Sequence, residues 1–308
     1  MPDPLATCRC TPLYLTDASL HTSTTTLTSI QQVATLDEEV KRLAKNIQPE
    51  DFALTTRTTI FYPQGGGQPS DTGVIVSSES RIQSNNLNNE GEKEEEDASK
   101  GAFEFEVLLV RKTSDGSILH FGRFATSPSS EILLGAQLCF NGNQMSKEVS
   151  LRIDSQKRNY HSRLHTAGHI LGLAMRLLAP VLGERKKVKA NHFPGEASME
   201  FEGMLYNEHK GAIQDKVDEI VAQQLSVRIS WWDEEEVERR KEELDMVEGR
   251  EVGGMGRVRI AEIGEVDANP CGGTHVEHTG ATGRILIRKI GRQKGVTRVS
   301  YEVPVIFE

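Results

Sequence analysis

The spacing of hydrophobic positions changes near the middle of the chain. Before residue 150, apolar and polar residues alternate in short runs such as Phe103–Val107, and a period of two is typical of strands. Further along, Leu164, Ala167 and Leu171 recur every three or four residues, as on one face of a helix. This spacing predicts a helix over about 154–179, ending before a proline.

The same patterns predict the other elements. Short β segments are expected first, at Leu13, Leu15, Leu20, Thr24–Thr28, Thr58–Tyr62 and Ile118–Phe121. The second half is expected to hold strands over 197–201, 227–232, 285–290 and 298–305 and helices over 207–225 and 233–247. We therefore predict an α+β fold, with a mostly-β, barrel-like domain over 1–150 and an α+β domain over 151–308.

Residues 77–101 differ in composition from the rest of the chain. They are rich in Asn, Glu, Ser and Lys and contain almost no large apolar side chains. Such a segment cannot bury enough apolar surface to offset its ordering entropy. We predict a disordered, acidic insertion inside the first domain.

Composition narrows the class of protein. A chain of 308 residues can bury a core without disulfide support, and its four cysteines are too few for a disulfide framework. No signal peptide or membrane-spanning run is visible, so a cytoplasmic protein is expected. The formal net charge of −9 means that any nucleic acid must be bound by local basic patches.

Two histidine-containing motifs carry the clearest chemistry. His165 and His169 are spaced i, i+4 on the predicted helix, so that two imidazoles can share a metal ion. Cys271 and His275 add a thiolate and a third imidazole within a glycine-rich turn. Together these four residues predict one Zn²⁺ per chain. A structural zinc stays an alternative, whereas an HExxH-type protease is disfavoured because Thr166 follows the first histidine.

The zinc motifs resemble the editing domain shared by alanyl- and threonyl-tRNA synthetases. Three further segments favour the alanyl branch and the freestanding AlaX-type proteins. Residues Phe61–Gly73 are similar to the FYPxGGGQxxDxG stretch of that branch, and Leu13–Asp17 resembles the start of AlaX proteins. Gly295–Val299 is similar to a closing GxRRI-like strand, but it departs at Thr297, where that pattern has an arginine.

The resemblance implies a zinc-dependent aminoacyl-tRNA editing domain over 151–308. Its expected reaction is hydrolysis of mischarged tRNA(Ala) at the acceptor end, with serine or glycine as the wrong amino acid. No ATP-binding loop of the GxxxxGK[ST] kind is visible, so neither ATP use nor aminoacylation is expected. Two alternatives stay open, namely deacylation of another mischarged tRNA and a non-catalytic, zinc-stabilised tRNA-binding protein.

Roles within the site are assigned to residues beside the zinc motifs. Thr166 is the candidate for contacting a serine hydroxyl, although a threonine in a helix also bonds its own backbone. His192 is the candidate acid–base group, since histidine titrates near neutral pH. Asn191 is expected to line the substrate. Gly272 and Gly273 let the backbone turn tightly around a metal or substrate.

Two other features bear on tRNA binding. The Gly65–Gln68 loop contains the GGQ tripeptide with which release factors hydrolyse peptidyl-tRNA, but a structural turn is the preferred interpretation, with contact to the acceptor stem left open. A basic stretch near the C-terminus is the candidate phosphate track, with a solvated hairpin as the alternative. Its cationic candidates are Arg284, Arg288, Lys289, Arg292 and Arg298.

Overall fold

The computed structural model describes residues 10–77, 102–126, 147–240 and 256–305. The chain divides into two compact units: Met1–Pro63 with Ser70–Asp154, and Gln64–Pro69 with Ser155–Glu308. Almost all of the predicted acidic insertion lies outside the described residues. Within those ranges, no helix combines the length and apolar character needed to cross a bilayer.

The first unit is built around a closed six-stranded barrel, in the order β2-β3-β7-β6-β5-β8 with antiparallel neighbours throughout. The barrel-like expectation is therefore confirmed. The strands of this unit are β1 Thr11–Pro12, β2 Thr22–Gln32, β3 Phe52–Thr56, β4 Thr58–Thr59, β5 Gly73–Ser77, β6 Phe103–Lys112, β7 Ile118–Phe124 and β8 Lys147–Ile153.

Alternation along the strands supplies the barrel core. In β6, Phe103, Phe105 and Val107 are buried while Glu104 and Glu106 are exposed, as the sequence pattern predicts. The described residues of this unit also include the short helix α1 (Glu38–Lys41) and the 3₁₀ turns Leu13–Leu15 and Val33–Thr35.

Some predicted β positions of the first unit are wrong. Leu20 precedes β2 without belonging to a strand, and only Thr58–Thr59 of the predicted Thr58–Tyr62 segment is a strand. Leu13 and Leu15 lie in a 3₁₀ turn, Leu13–Leu15, rather than in a strand. The hydroxyl and the backbone N–H of Thr16 both donate to the Leu13 carbonyl and close this turn locally. Local hydrogen bonds of this kind compete with a strand ladder.

The second unit combines helices with two antiparallel sheets, ordered β14-β15-β10-β9 and β11-β12-β13. It contains helices α2 Ser155–Leu177, α3 Ala179–Leu182, α4 Lys210–Ala222 and α5 Glu234–Arg239. Its strands are β9 Lys187–Asn191, β10 Ser198–Glu202, β11 Val227–Trp232, β12 Val258–Ile263, β13 Asp267–Pro270, β14 Leu286–Gln293 and β15 Val296–Glu302.

Helix α2 is the centre of this unit. All residues from 161 to 171 are buried, so the helix is enclosed on several sides rather than lying on the surface. Leu164 and Leu171 belong to a continuous core with Phe201 of β10, Val299 of β15 and Ile213 of α4. This packing fixes the helix that carries two of the candidate ligands.

Three predicted strands of this unit differ from the observed ones by one to three residues at each end, and the helix boundaries differ as well. Helix α2 ends at Leu177, and Pro180 lies in the first turn of α3, where its missing N–H costs no hydrogen bond. The predicted helix over 207–225 begins as a 3₁₀ turn and continues as α4. Of the helix predicted over 233–247, the structure shows α5, which ends at Arg239; residues 241–247 lie outside the described ranges.

Candidate metal centre and active site

Four ligand atoms converge in the second unit. The ligand atoms of His165, His169, Cys271 and His275 all lie within 4.8 Å of one another. Cys271 Sγ is 3.4 Å from His165 Nε2 and 3.3 Å from His275 Nε2. A tetrahedral zinc with Zn–S near 2.3 Å and Zn–N near 2.05 Å would separate its ligands by about 3.3–3.6 Å. The donor set therefore fits zinc.

Helix geometry and a glycine bring the two ligand pairs together. The rings of His165 and His169 lie one turn apart on α2, with centroids separated by 5.2 Å. Cys271 and His275 come from the loop that follows β13. A Cβ on Gly273 would lie 2.0 Å from His165 Cε1, so only glycine allows this loop to approach the helix. Gly273 thus makes room for a ligand, and Gly272 beside it is half-buried.

Burial sets the protonation of the ligand groups. Desolvation holds the pKa values of His165, His169 and His275 well below their ordinary range, so all three imidazoles are neutral. Neutral imidazole is the form that binds a metal. Burial raises the pKa of the Cys271 thiol. A bound divalent cation would reverse that shift by stabilising the thiolate.

Two hydroxyl groups join α2 to the ligand loop. Ser162 Oγ is 2.7 Å from Thr274 Oγ1. Thr166 Oγ1 accepts the backbone N–H of Val276 at 3.2 Å and lies 3.3 Å from His275 Nδ1. Thr166 therefore bonds to the loop backbone and to a ligand ring. Its predicted contact with a serine hydroxyl stays a prediction.

His192 lies against the ligand cluster, with its ring stacked on that of His165 at 4.4 Å. The Tyr301 hydroxyl donates to the Leu164 carbonyl at 3.0 Å, so its oxygen accepts from His192 Nδ1 at 2.6 Å. Desolvation lowers the pKa of His192 to about 3. The ring is therefore a neutral group with its lone pair on Nε2, rather than one that titrates near neutral pH.

Gly168 creates the space for His192. A Cβ at this position would lie 2.3 Å from His192 Cε1 and 2.9 Å from the Tyr301 hydroxyl oxygen. Neither Gly168 nor Tyr301 was identified from the sequence as part of the site. Gly168 could have been recognised from its position between the two histidines of the HxxxH motif, whereas nothing in the sequence marks Tyr301 as part of the site.

Two further buried residues contact the ligands. Arg259 of β12 donates from Nη1 to the Cys271 carbonyl at 2.6 Å. Gln68, in the segment grouped with the second unit, lies 2.7 Å from His165 Nδ1 through its side-chain oxygen. That segment was expected to form a structural turn of the N-terminal β domain. In the structure this segment is grouped with the second unit, because contacts such as that of Gln68 with His165 join residues that are far apart in the sequence.

Asn191 lies at the end of β9, and its side chain forms hydrogen bonds with the backbone of the turn that follows. Its Oδ1 accepts the backbone N–H of Phe193, and its Nδ2 donates to the Glu196 carbonyl. The residue also lines a cavity of about 390 Å³. The lining residues are Gly67, Lys189, Ala190, Asn191, Phe193, Glu196, Ser198, Glu200 and Arg298.

Strand register separates the five predicted tRNA-binding residues. Lys289 and Arg298 share the outer face of the four-stranded sheet, because Lys289 pairs with Ser300, two residues from Arg298. Arg292 pairs with buried Thr297 on the opposite face and lies over the Tyr206 ring. Arg288 forms an ion pair with Glu302, and Arg284 precedes β14; both are exposed, as are the other three.

Comparison with known proteins finds relatives that are named for alanyl-tRNA editing. The family model described as the threonyl and alanyl tRNA synthetase second additional domain matches residues 258–300, which include Cys271 and His275. The chain is 27% identical to the alanyl-tRNA editing protein AlaX-M of Methanosarcina barkeri over 86% of its own length and 93% of that protein. The chain is related to the AlaX-type alanyl-tRNA editing proteins.

Two other relatives are longer than this chain. Identity to the alanyl-tRNA editing protein AlaX-L of Pyrococcus horikoshii is 27%, over 79% of this chain and 49% of that protein. Identity to the alanine–tRNA ligase of Methanothermobacter thermautotrophicus is 28%, over 86% of this chain but only 25% of the ligase. The chain thus spans about a quarter of the length of the ligases it matches.

Proposed function

We propose that this protein hydrolyses the ester between a wrong amino acid and the terminal adenosine of tRNA(Ala), at a zinc ion held by His165, His169, Cys271 and His275. Serine is the proposed amino acid and glycine the second candidate. The observation that carries the proposal is the convergence of these ligand atoms within 4.8 Å, in a chain that aligns with nearly all of an AlaX-M protein.

The arrangement suits ester hydrolysis. A zinc ion bound by these ligands would act on the ester if it took the substrate or a water as a further ligand; it would then supply Lewis acidity for the carbonyl, or lower the pKa of the water towards about 7. The protein's own contribution is orientation. Because Tyr301 holds the Nδ1 proton of His192, the Nε2 lone pair is left to accept a hydrogen bond from a water or from the substrate.

Thr166 is the proposed contact for a serine hydroxyl. Its oxygen accepts the Val276 N–H and, with His275 bound to metal through Nε2, the Nδ1 proton of that ring as well. The hydroxyl proton of Thr166 is then the group that it offers to serine. A site that hydrogen-bonds a substrate hydroxyl discriminates strongly against an analogue without one, here alanine.

We propose that the acceptor end of the tRNA lies along the outer face of the four-stranded sheet. Lys289 and Arg298 share this face with Lys189, because Arg298 and Lys189 both pair with Glu200. These cations suit phosphates, and Phe193 lines the cavity of about 390 Å³, where it would suit stacking with a base. The cavity adjoins His192, since Gly67 lines it and accepts the His192 N–H.

The test is deacylation of Ser-tRNA(Ala), Gly-tRNA(Ala) and Ala-tRNA(Ala) by zinc-loaded, full-length protein. We expect loss of serine with alanine retained, and no activity after Cys271→Ala. The matched control is Cys10→Ala, the same change at a buried cysteine of the first unit. Hydrolysis of another mischarged tRNA alone, such as mischarged tRNA(Thr), would move the proposal to that substrate. Tight tRNA binding without any hydrolysis would favour the non-catalytic alternative.

A further inference from the structure

Gln68 is fully buried beside the proposed zinc ligands. Its side-chain oxygen lies 2.7 Å from His165 Nδ1 and 3.1 Å from the backbone nitrogen of Thr274. Its side-chain nitrogen donates to Thr274 Oγ1 at 2.8 Å. The amide therefore uses both of its ends on one ligand and on the loop that carries two others.

The Thr274 backbone settles which way the amide faces. A backbone N–H can only donate, so the atom it meets is the carbonyl oxygen of Gln68. That oxygen can only accept, so His165 Nδ1 must carry a proton. The lone pair of His165 is thereby left on Nε2, the atom that lies 3.4 Å from Cys271 Sγ.

The two glycines before Gln68 allow the backbone path that places the Gln68 side chain beside His165. Gly66 and Gly67 have φ values of 54° and 79°, in the region that glycine adopts readily. A Cβ on Gly67 would lie 2.7 Å from the Ala190 carbonyl oxygen, and the Gly67 carbonyl accepts the His192 N–H at 2.8 Å. The glycine-rich sequence thus matches a tight path that ends with the glutamine against His165.

We propose that Gln68 is a positioning residue that holds His165 in the tautomer that binds zinc through Nε2. The proposal rests on the proposed metal site and not on the identity of the substrate. Hydrogen-bonding partners of a ligand histidine fix its ring and change metal affinity by about 10- to 100-fold. Because both ends of the Gln68 side-chain amide are bonded to His165 and Thr274, this amide is not available to the substrate ester.

Zinc affinity of the full chain, measured by competition with a chromophoric chelator and without tRNA, tests this role. Gln68→Met keeps the side-chain length but removes the acceptor, and we expect it to weaken zinc binding about 10- to 100-fold. Gln68→Glu keeps an acceptor for both N–H groups, so it should retain wild-type affinity within a few fold. Gln64→Met is the matched control, since Gln64 is an exposed glutamine of the same loop.

Wild-type affinity in Gln68→Met would overturn the proposal and leave the proposed function standing. Loss of affinity in Gln68→Glu as large as in Gln68→Met would also overturn it, because the acceptor would then be irrelevant. The wild-type protein provides a test that needs no variant. In zinc-loaded protein with ¹⁵N-labelled histidine, the His165 ring should carry its proton on Nδ1, and a proton on Nε2 would refute the assignment. A chain that binds no zinc would remove both this proposal and the metal site.

Discussion

The two glycines of α2 provide a sharp test of how the site is packed. Gly168 and Gly172 are one turn apart in the same helix, and alanine at either should gain about 1 kcal/mol of helix propensity. At Gly172 the added methyl would meet only Met199 Cε at 3.6 Å, an ordinary contact. At Gly168 it would lie 2.3 Å from His192 Cε1.

The difference between the two variants isolates the steric cost. His192 cannot withdraw easily, because it stacks on His165 and donates to Tyr301. Overpacking of this kind costs about 1–3 kcal/mol. The propensity gain is common to both variants, so Gly168→Ala should be less stable than Gly172→Ala by about 1–3 kcal/mol. At about 2–4 °C per kcal/mol, the two thermal midpoints should differ measurably.

Denaturant unfolding of both zinc-loaded variants measures this difference, and deacylation of Ser-tRNA(Ala) measures its consequence. Gly168→Ala should lose activity because His192 is displaced, whereas Gly172→Ala should keep it. A Gly168→Ala protein as stable and as active as Gly172→Ala would refute the packing of His192 described above.

Two further predictions concern acid stability and tRNA binding. His120 is buried in the first unit between Thr59 and the Leu54 carbonyl, and desolvation lowers its pKa to about 4, against about 6.5 when unfolded. Between pH 6.5 and 4 the imidazole is protonated in the unfolded chain but neutral in the folded protein, so the free energy of unfolding falls as the pH falls through this range. In denaturant titrations, the loss should be smaller by about 3 kcal/mol in His120→Gln than in the wild-type protein. Lys189→Glu should weaken tRNA binding and reduce the slope of log affinity against log salt by about 0.7–0.9. The control is Lys45→Glu, which makes the same charge change at an exposed site of the first unit and should leave both the affinity and the slope unchanged.

Several elements were predictable because their signals are local. The i, i+4 spacing of His165 and His169 on a helix determines their common face without tertiary information. Strand β11 was predicted at the bounds observed, and α2 to within two residues at its C-terminal end. Other strands were missed, among them β12, whose alternation is visible in the sequence, and β9 and β13, which are short and contain few large apolar side chains.

The sequence by itself determined the four candidate ligands, the helix that carries two of them and the strand character of the first half. These depend on periodicity and on residue chemistry, which act over a few positions. Only the tertiary structure decided that Gln68 meets Thr274, 206 residues away, and that Tyr301 meets His192, 109 residues away. Such contacts follow from strand register and close packing of the whole unit, and short-range patterns do not encode them.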